Sequence, residues 1–171
     1  KTEAGGIRVG LAGAAAVRAA HADILASAAR HRPDARIEGV LVAPMVTGGV
    51  ETILGVKRDP VFGPVVLFGL GGVLAEVLED VSIRLAPIDR EEAPAMIGEI
   101  RAAKVLAGVR GAPPADVEAL AEAVEALSRF AAAHAGDLDT LDVNPLVVLP
   151  EGRGCVALDG LVIAGPPADG G

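Results

Sequence analysis

Residues 138–160 of the chain, LDTLDVNPLVVLPEGRGCVALDG, place an Asp and an Asn two positions apart, then a turn, then a single Asp in an apolar run. Apolar and β-branched residues on both sides of PEGR predict two strands, residues 141–149 and 154–163, joined by a four-residue loop. When Leu149 faces Gly154 across this loop, counting back along both strands places Asn144 opposite Asp159. The segment therefore predicts an antiparallel hairpin with polar side chains near its centre.

Three polar side chains of this hairpin are expected on one face. Opposed residues of an antiparallel pair have Cβ atoms about 4.5–5.5 Å apart, and Asp142 joins Asn144 and Asp159 because side chains alternate with period two. Such oxygen donors suit Mg²⁺, which leaves its other positions to water and phosphates. A second interpretation stays open, because Asn-Pro and Asp-Gly also end strands and begin turns. Pro145 has no N–H and predicts an edge or a bulge that would shift the register.

Several apolar runs upstream predict further strands. They are residues 7–11, 36–46, 50–59, 64–70 and 82–87. Gly48 and Gly49, between the second and third runs, predict a tight antiparallel turn, and the segment DPVFG predicts another turn before the fourth. We therefore expect an antiparallel meander of three strands over residues 36–70.

Three segments show helical periodicity: residues 14–30, residues 90–102 and a segment that begins near Pro113 and ends by Gly136. The apolar face of the first helix is expected to hold Val17, His21, Ile24, Leu25 and Ala28. The apolar face of the last is expected to hold Val117, Leu120, Ala121, Val124, Leu127 and Ala131. The predicted fold class is α+β (α/β), a mostly antiparallel sheet with flanking helices over residues 1–164, followed by a flexible tail, residues 165–171.

The composition excludes several classes of function. The formal net charge is −8 and Lys and Arg form no run, which argues against nucleic acid as a partner. Cys155 is the only cysteine, so neither an internal disulfide nor a multi-cysteine zinc site is expected. No apolar run reaches eighteen residues without Gly, Pro or charge, and we therefore expect a soluble, cytoplasmic protein with no membrane contact.

Other candidate chemistry is less specific. The segment FGLGGVLAEV carries Gly69, Gly71 and Gly72 but lacks the third glycine of the dinucleotide fingerprint. Its backbone N–H groups are still able to face an anion. Lys57 and Arg58 at a strand end are compatible with a phosphate contact or with a solvated surface. The histidines lie in no catalytic setting, so the catalytic residues stay unidentified.

Several motifs in one order carry a resemblance to a known family. They are GGIRVGL, VLVAPMVTGGVETILGVKRDPVFGPVVLFGLGG, VLEDVSIRLAPI, GVRG, LDVNPL and ALDG, and the similarity runs from residue 1 to about residue 163. The series resembles the ATP-grasp domain of the NDP-forming acyl-CoA synthetases, relatives of the succinyl-CoA synthetase beta subunit. The resemblance implies the ATP-grasp fold and an acid–CoA ligase.

The resemblance also implies binding residues. In that family the Asn of the D-x-N-P-L strand and the Asp of the next L-D-G strand bind the Mg²⁺ of the nucleotide, which implies Asn144 and Asp159 as ligands, with Asp142 beside them. An adenine hinge is implied at Val42, Ala43, Pro44 and Met45. Nucleotide and phosphate-relay positions are implied at Glu51, Arg58, Gly69, Gly71 and Gly72.

The implied reaction is the reversible conversion of acyl-CoA, phosphate and NDP to acid, CoA and NTP through a phosphohistidine. Its cofactors would be Mg²⁺ and ATP or ADP, and its partners the CoA-binding and ligase domains or subunit, in an oligomer or a longer chain. In the family, KTEAGGI follows a His and a further segment that are absent before Lys1. We therefore expect an incomplete ATP-grasp domain that is inactive by itself.

Two other functions stay open. A degenerate or regulatory ATP-grasp domain, as in acyl-CoA synthetase-like regions fused to acetyltransferases, would act as a nucleotide sensor or a scaffold. An unrelated structural α+β subunit would show no Mg²⁺-dependent ligand effect.

Overall fold

The computed structural model describes residues 4–71, 80–109 and 111–165. The fold divides into two compact units, residues 1–47 and residues 48–171. The first unit contains one long helix, α1 (Gly13–His31), where helical periodicity predicted it. His21, expected on the apolar face of α1, is exposed, because the buried strip of this helix centres on Ala20. That placement of His21 was wrong.

Two predicted strands do not form in this unit. Within the described residues, positions 7–11 and 36–46 lie in no strand. The predicted hairpin around Gly48 and Gly49 is wrong for the same reason. Strand β1 (Val50–Asp59) pairs with β2 (Gly63–Leu70) along one edge and with β4 (Leu138–Val148) along the other. A strand has two edges, so β1 has none left for residues 36–46.

In the described part of the second unit, six strands form an antiparallel sheet. Its remaining strands are β3 (Val81–Leu85), β5 (Cys155–Ala157) and β6 (Gly160–Ala164). The strand order is β3, β2, β1, β4, β5, and β6 also pairs with β4. The three-stranded meander is therefore β1–β2–β3, and the expectation that it begins at residue 36 was wrong.

Helices pack against one face of this sheet. They are α2 (Glu92–Glu99), a 3-10 helix (Arg101–Ala107) and α3 (Val117–Ala133). The core between them contains Leu54, Val56, Val66, Phe68, Met96, Ile97, Leu120, Val124, Leu146 and Val148. The helix predicted over residues 90–102 is divided at Ile100, whose backbone is extended. The Asp80 carboxylate accepts hydrogen bonds from the N–H groups of Arg101 and Ala102 and so caps the second part separately.

The opposite face of the sheet is called the second face below. On β1, the side chains that alternate with the buried ones lie on this face. Glu51 and Lys57 lie on it and are exposed, while Thr52, Leu54 and Val56 are buried on the core side. No helix in the described part of the chain has the length and apolar character needed to span a membrane.

Asp116 attaches the loop between β4 and β5 to the start of α3. Its carboxylate accepts a hydrogen bond from the Ala119 N–H at 3.1 Å, which caps the helix, and one from the Gly154 N–H at 2.8 Å in the loop. The side chain lies at the edge of the core, with the residue 9% exposed. These backbone donors, Gly154 first, lower the pKa of Asp116 below its ordinary value.

We expect acid to weaken the fold through Asp116. Because its pKa is lower in the folded state, its carboxylate stabilises the fold above the unfolded pKa, and this contribution disappears as the pH falls through the folded pKa. Asp116→Asn should lower the urea midpoint at neutral pH and flatten the loss of stability as the pH falls below about 5. Glu151→Gln, which changes an exposed carboxylate of the same loop, is the control. An unchanged pH slope in Asp116→Asn would contradict this expectation.

Candidate functional site

A bulge in β4 determines the geometry of the predicted polar site. Asn144 and Pro145 both lie opposite Ile53, because the register between β1 and β4 shifts by one residue between Thr52 and Leu54. Two residues opposite one define a β-bulge. The bulge that Pro145 predicted is therefore present, and it lies in an interior strand rather than at an edge.

The bulge separates the polar residues of β4 from its apolar ones. Val143 before the bulge and Leu146 after it both pack against the core, although an uninterrupted strand would turn them to opposite faces. Asp142 and Asn144 consequently lie on the second face, where Asp142 is half-buried and Asn144 is exposed. The same strand thus contributes to the core along its whole length and still presents two oxygen-bearing side chains.

The other edge of β4 keeps the register that the loop length predicted. Val148 faces Cys155 in β5 and Val143 faces Gly160 in β6. Between these pairs, the Asn144 N–H donates to the Asp159 carbonyl oxygen at 3.2 Å. The predicted opposition of Asn144 and Asp159 is confirmed at the level of the backbone. Their function as metal ligands stays a prediction.

Asp142 lies over a glycine of the neighbouring strand. Gly55 is its partner on β1. A Cβ atom at Gly55 would lie 3.8 Å from Asp142 Oδ1 and 3.4 Å from the Leu141 carbonyl oxygen. Because Gly55 has no side chain, there is space beside the Asp142 carboxylate. A larger residue at position 55 would reduce this space.

A second group of predicted residues meets at the start of β1. The Gly71 N–H donates to the Glu51 carbonyl oxygen at 2.7 Å, and a Cβ atom at Gly71 would lie 3.1 Å from Glu51 Cβ. Gly69 faces Ile53 in the ladder between β1 and β2. The structure therefore brings Glu51, Gly69 and Gly71 together. Gly72 lies outside the described residues.

Arg58 is not part of these groups, and the predicted hinge segment lies in the other unit of the chain. Arg58 alternates to the side of the sheet opposite Glu51 and Lys57, and its Nη1 donates to the Gly136 carbonyl oxygen at 3.1 Å. The segment Val42, Ala43, Pro44 and Met45 belongs to the first unit, where all four residues are exposed.

The donors around the bulge are too few to hold a metal ion with protein side chains alone, but they suit a Mg²⁺ ion that also binds water and phosphate. In the described part of the chain, no group of three or more His, Cys, Asp and Glu side chains is placed to hold a metal ion. Asp142, Asn144 and Asp159 supply two carboxylates and one amide. Magnesium typically takes one or two carboxylates from a protein and completes its octahedron with water and phosphate oxygens. The residues present therefore fit a nucleotide-bound Mg²⁺.

Sequence reasoning missed an ion pair next to this site. Lys57 Nζ lies 2.6 Å from Asp139 Oδ2 and 3.1 Å from Thr140 Oγ1. Lys57 also faces Thr140 in the ladder, two residues from the pair formed by Gly55 and Asp142. Hydrogen bonds from Lys57 and Thr140 lower the pKa of Asp139. Strand alternation alone indicates that Lys57 shares a face with Glu51, but it does not reveal Asp139, which lies 82 positions away in sequence.

The sequence is similar to ATP-grasp domains and to ADP-forming CoA ligases. A family profile described as "ATP-grasp domain" matches residues 1–163. The chain is 42% identical over 159 residues to the ADP-forming 4-hydroxybutyrate–CoA ligase of Nitrosopumilus maritimus, covering 93% of this chain and 23% of that protein. It is 39% identical over 163 residues to the beta subunit of the ADP-forming acetate–CoA ligase I of Pyrococcus furiosus, covering 95% and 69%. The chain thus spans about a quarter of the first relative's length.

The fold is similar to that of solved structures of an acetyl-coenzyme A synthetase. An acetyl-coenzyme A synthetase from Ca. Korarchaeum cryptofilum, in complex with coenzyme A and Ca-AMPCP, superposes with a TM-score of 0.91 at 40% identity, covering 96% of this chain and 70% of that chain. A second structure of that synthetase, with coenzyme A and Mg-AMPPCP, gives a TM-score of 0.83 at 36% identity with the same coverage. The antiparallel sheet with flanking helices is shared with these structures.

We expect Thr52 to hold the bulge in place. Its hydroxyl is fully buried and donates to the Leu146 carbonyl oxygen at 2.8 Å, directly after the bulge. Thr52→Val should cost about 1 kcal/mol of stability and accelerate hydrogen exchange of the Asn144 amide. Ser82→Ala is the matched control, because the buried Ser82 hydroxyl donates to the Met96 carbonyl oxygen, also at 2.8 Å. Equal exchange at Asn144 in both variants would show that Thr52 does not fix the bulge.

Proposed function

Because the chain belongs to the ATP-grasp domain family, we propose that it is the nucleotide- and Mg²⁺-binding part of an ADP-forming acid–CoA ligase. The observation that carries this proposal is the set of hard oxygen donors at the bulge, where Asn144 opposes Asp159 beside Asp142. Relatives named as ADP-forming ligases support the reaction class. The neighbour solved with Mg-AMPPCP supports the cofactors, Mg²⁺ with ATP or ADP.

In this proposal Asn144 and Asp159 hold the Mg²⁺ and Asp142 assists them, through the metal itself or through its water. The ion would neutralise charge on the β- and γ-phosphates as a phosphoryl group moves. Gly55 keeps the space beside the Asp142 carboxylate free of side-chain atoms. Glu51, backed by Gly71, offers a carboxylate to hydroxyl groups of the nucleotide at the other end of the same face.

The proposed reaction is acid, CoA and ATP to acyl-CoA, ADP and phosphate, reversible, with a histidine of the enzyme carrying the phosphoryl group between sites. A neighbouring structure is described with a phosphohistidine segment pointing towards its nucleotide-binding site. CoA-binding and ligase domains, or a partner subunit, would supply the acyl chemistry, since the chain spans 23% of the Nitrosopumilus ligase. We therefore propose that the chain is inactive by itself and belongs to a longer chain or an oligomer.

Calorimetric titration with Mg-ADP tests the site. The proteins are this chain and a longer form that carries the segment preceding Lys1, each as wild type, Asn144→Ala and Asp159→Ala. We expect the longer wild type to bind and each substitution to weaken binding by at least about tenfold, because each removes an oxygen ligand. Glu151→Ala, an exposed carboxylate of the loop in the same hairpin, should bind like wild type.

The outcomes separate the candidate functions. Binding that depends on Asn144 and Asp159, together with turnover by the complete ligase, would support the enzyme. Binding without turnover would instead support a regulatory nucleotide sensor. If the longer wild type binds no nucleotide, the hairpin is a remnant of the fold and a scaffold replaces the proposal.

A further inference from the structure

The second face of the sheet is acidic around the proposed nucleotide site. It carries Glu51 and Asp142, with Asp159 opposite Asn144 and Asp139 at its far end. The whole chain has a formal net charge of −8. A nucleoside di- or triphosphate is itself strongly anionic, so binding at such a face requires cationic groups close to the phosphates. A single Mg²⁺ neutralises only part of this charge.

Among the strands that the structure describes, Lys57 is the one Lys or Arg on the second face. Arg58 alternates to the core side of β1 and donates to the Gly136 carbonyl oxygen, although it lies close enough to Asp139 to lower the pKa of that carboxyl. Arg84 of β3 also lies on the core side, where it pairs with Glu92 and Glu99 of α2. A phosphate on the second face would therefore find its protein cation in Lys57.

Lys57 is oriented but not saturated by its neighbours. Asp139 Oδ2 and Thr140 Oγ1 accept two of its hydrogen bonds, at 2.6 and 3.1 Å. An ammonium group has three donors, and the Lys57 side chain is 65% exposed. The Thr140 hydroxyl donates to the same Asp139 oxygen at 2.8 Å, which fixes the carboxylate in turn. Two anchoring contacts thus hold the ammonium while one donor is left for a ligand.

The order of groups along β1 indicates which phosphate Lys57 would meet. Glu51 lies at one end of the face, Ile53 and Gly55 face the bulge and Asp142, and Lys57 lies at the other end. Two residues along a strand span about 7 Å. The contacts with Asp139 and Thr140 hold the Lys57 ammonium at this end of the face, so a phosphate chain that extends past Asp142 comes within its reach. With Mg²⁺ at the bulge and the nucleoside towards Glu51, the last phosphate falls towards Lys57.

We propose that Lys57 binds the terminal phosphate of the nucleotide, and that Asp139 and Thr140 position its ammonium for this contact. The inference rests on the proposed function and extends it, since it names the protein cation that complements the Mg²⁺ site. A fixed positive charge at this point would also stabilise the negative charge of the phosphoryl group during transfer.

Lys57→Gln tests the inference in the longer form, by calorimetric titration with AMP, Mg-ADP and Mg-ATP. We expect affinity for Mg-ADP and Mg-ATP to fall roughly ten- to a hundredfold, since a charge-assisted hydrogen bond is lost, and affinity for AMP to stay unchanged. Lys57→Arg should recover most of the affinity because it keeps the charge. Lys104→Gln removes the same charge from the exposed surface of the 3-10 helix and should bind like wild type.

Three results would overturn the inference. Unchanged affinity of Lys57→Gln for Mg-ATP would overturn it while leaving the proposed function intact. An equal loss for AMP and Mg-ATP would show a structural effect instead of a phosphate contact. Absence of nucleotide binding by the longer wild type would overturn the proposed function and this inference together.

Discussion

The arrangement of this site depends on one inserted residue in β4, at Asn144 and Pro145. The sequence of the strand places Asp142 and Asn144 at the same parity as Leu146 and Val148. A regular strand would have to bury a carboxylate with two aliphatic side chains, or expose those side chains with the carboxylate. Exposure of each would forfeit about 1.5–3 kcal/mol, and burial of an unpaired charge would cost more. The bulge removes this conflict by changing the parity between the two pairs.

Local chemistry explains why this part of the fold was predictable. The four-residue loop fixes the register of the hairpin, and the missing N–H of Pro145 identifies where the opposite ladder is interrupted. The order of motifs along the chain predicted the ATP-grasp family and its antiparallel sheet, and both are confirmed by the family profile and by the solved structures. The loop length and Pro145 are local signals. The order of motifs extends along the whole chain, but it requires no knowledge of which distant residues are in contact.

Features that depend on distant partners were not predictable in the same way. Residues 36–46 have the composition of a strand, yet both edges of β1 are taken by β2 and β4, and β4 lies some ninety positions later. Ser128 interrupts the apolar face of α3 because its hydroxyl bonds the backbone of Ile88. The environment of Lys57 depends on Asp139 in the same manner. The periodicity of apolar residues predicts which face of a helix or strand a side chain lies on. It does not predict which residue, distant in sequence, that side chain contacts.

An acidic chain that binds a polyphosphate is physically consistent if the opposing charges act at short range. At physiological ionic strength the screening length is about 8 Å, so most of the carboxylates contribute little at the bulge. The nearby carboxylates are a different matter, because without a metal they would repel the phosphates that the site is proposed to hold. A bound Mg²⁺ would reverse this relation, because the same oxygens would hold the metal and it would supply positive charge to the phosphates. In the proposed site the acidic hairpin would select the Mg²⁺ complex over the free nucleotide, and Lys57 would offset the charge that the metal leaves on the phosphates.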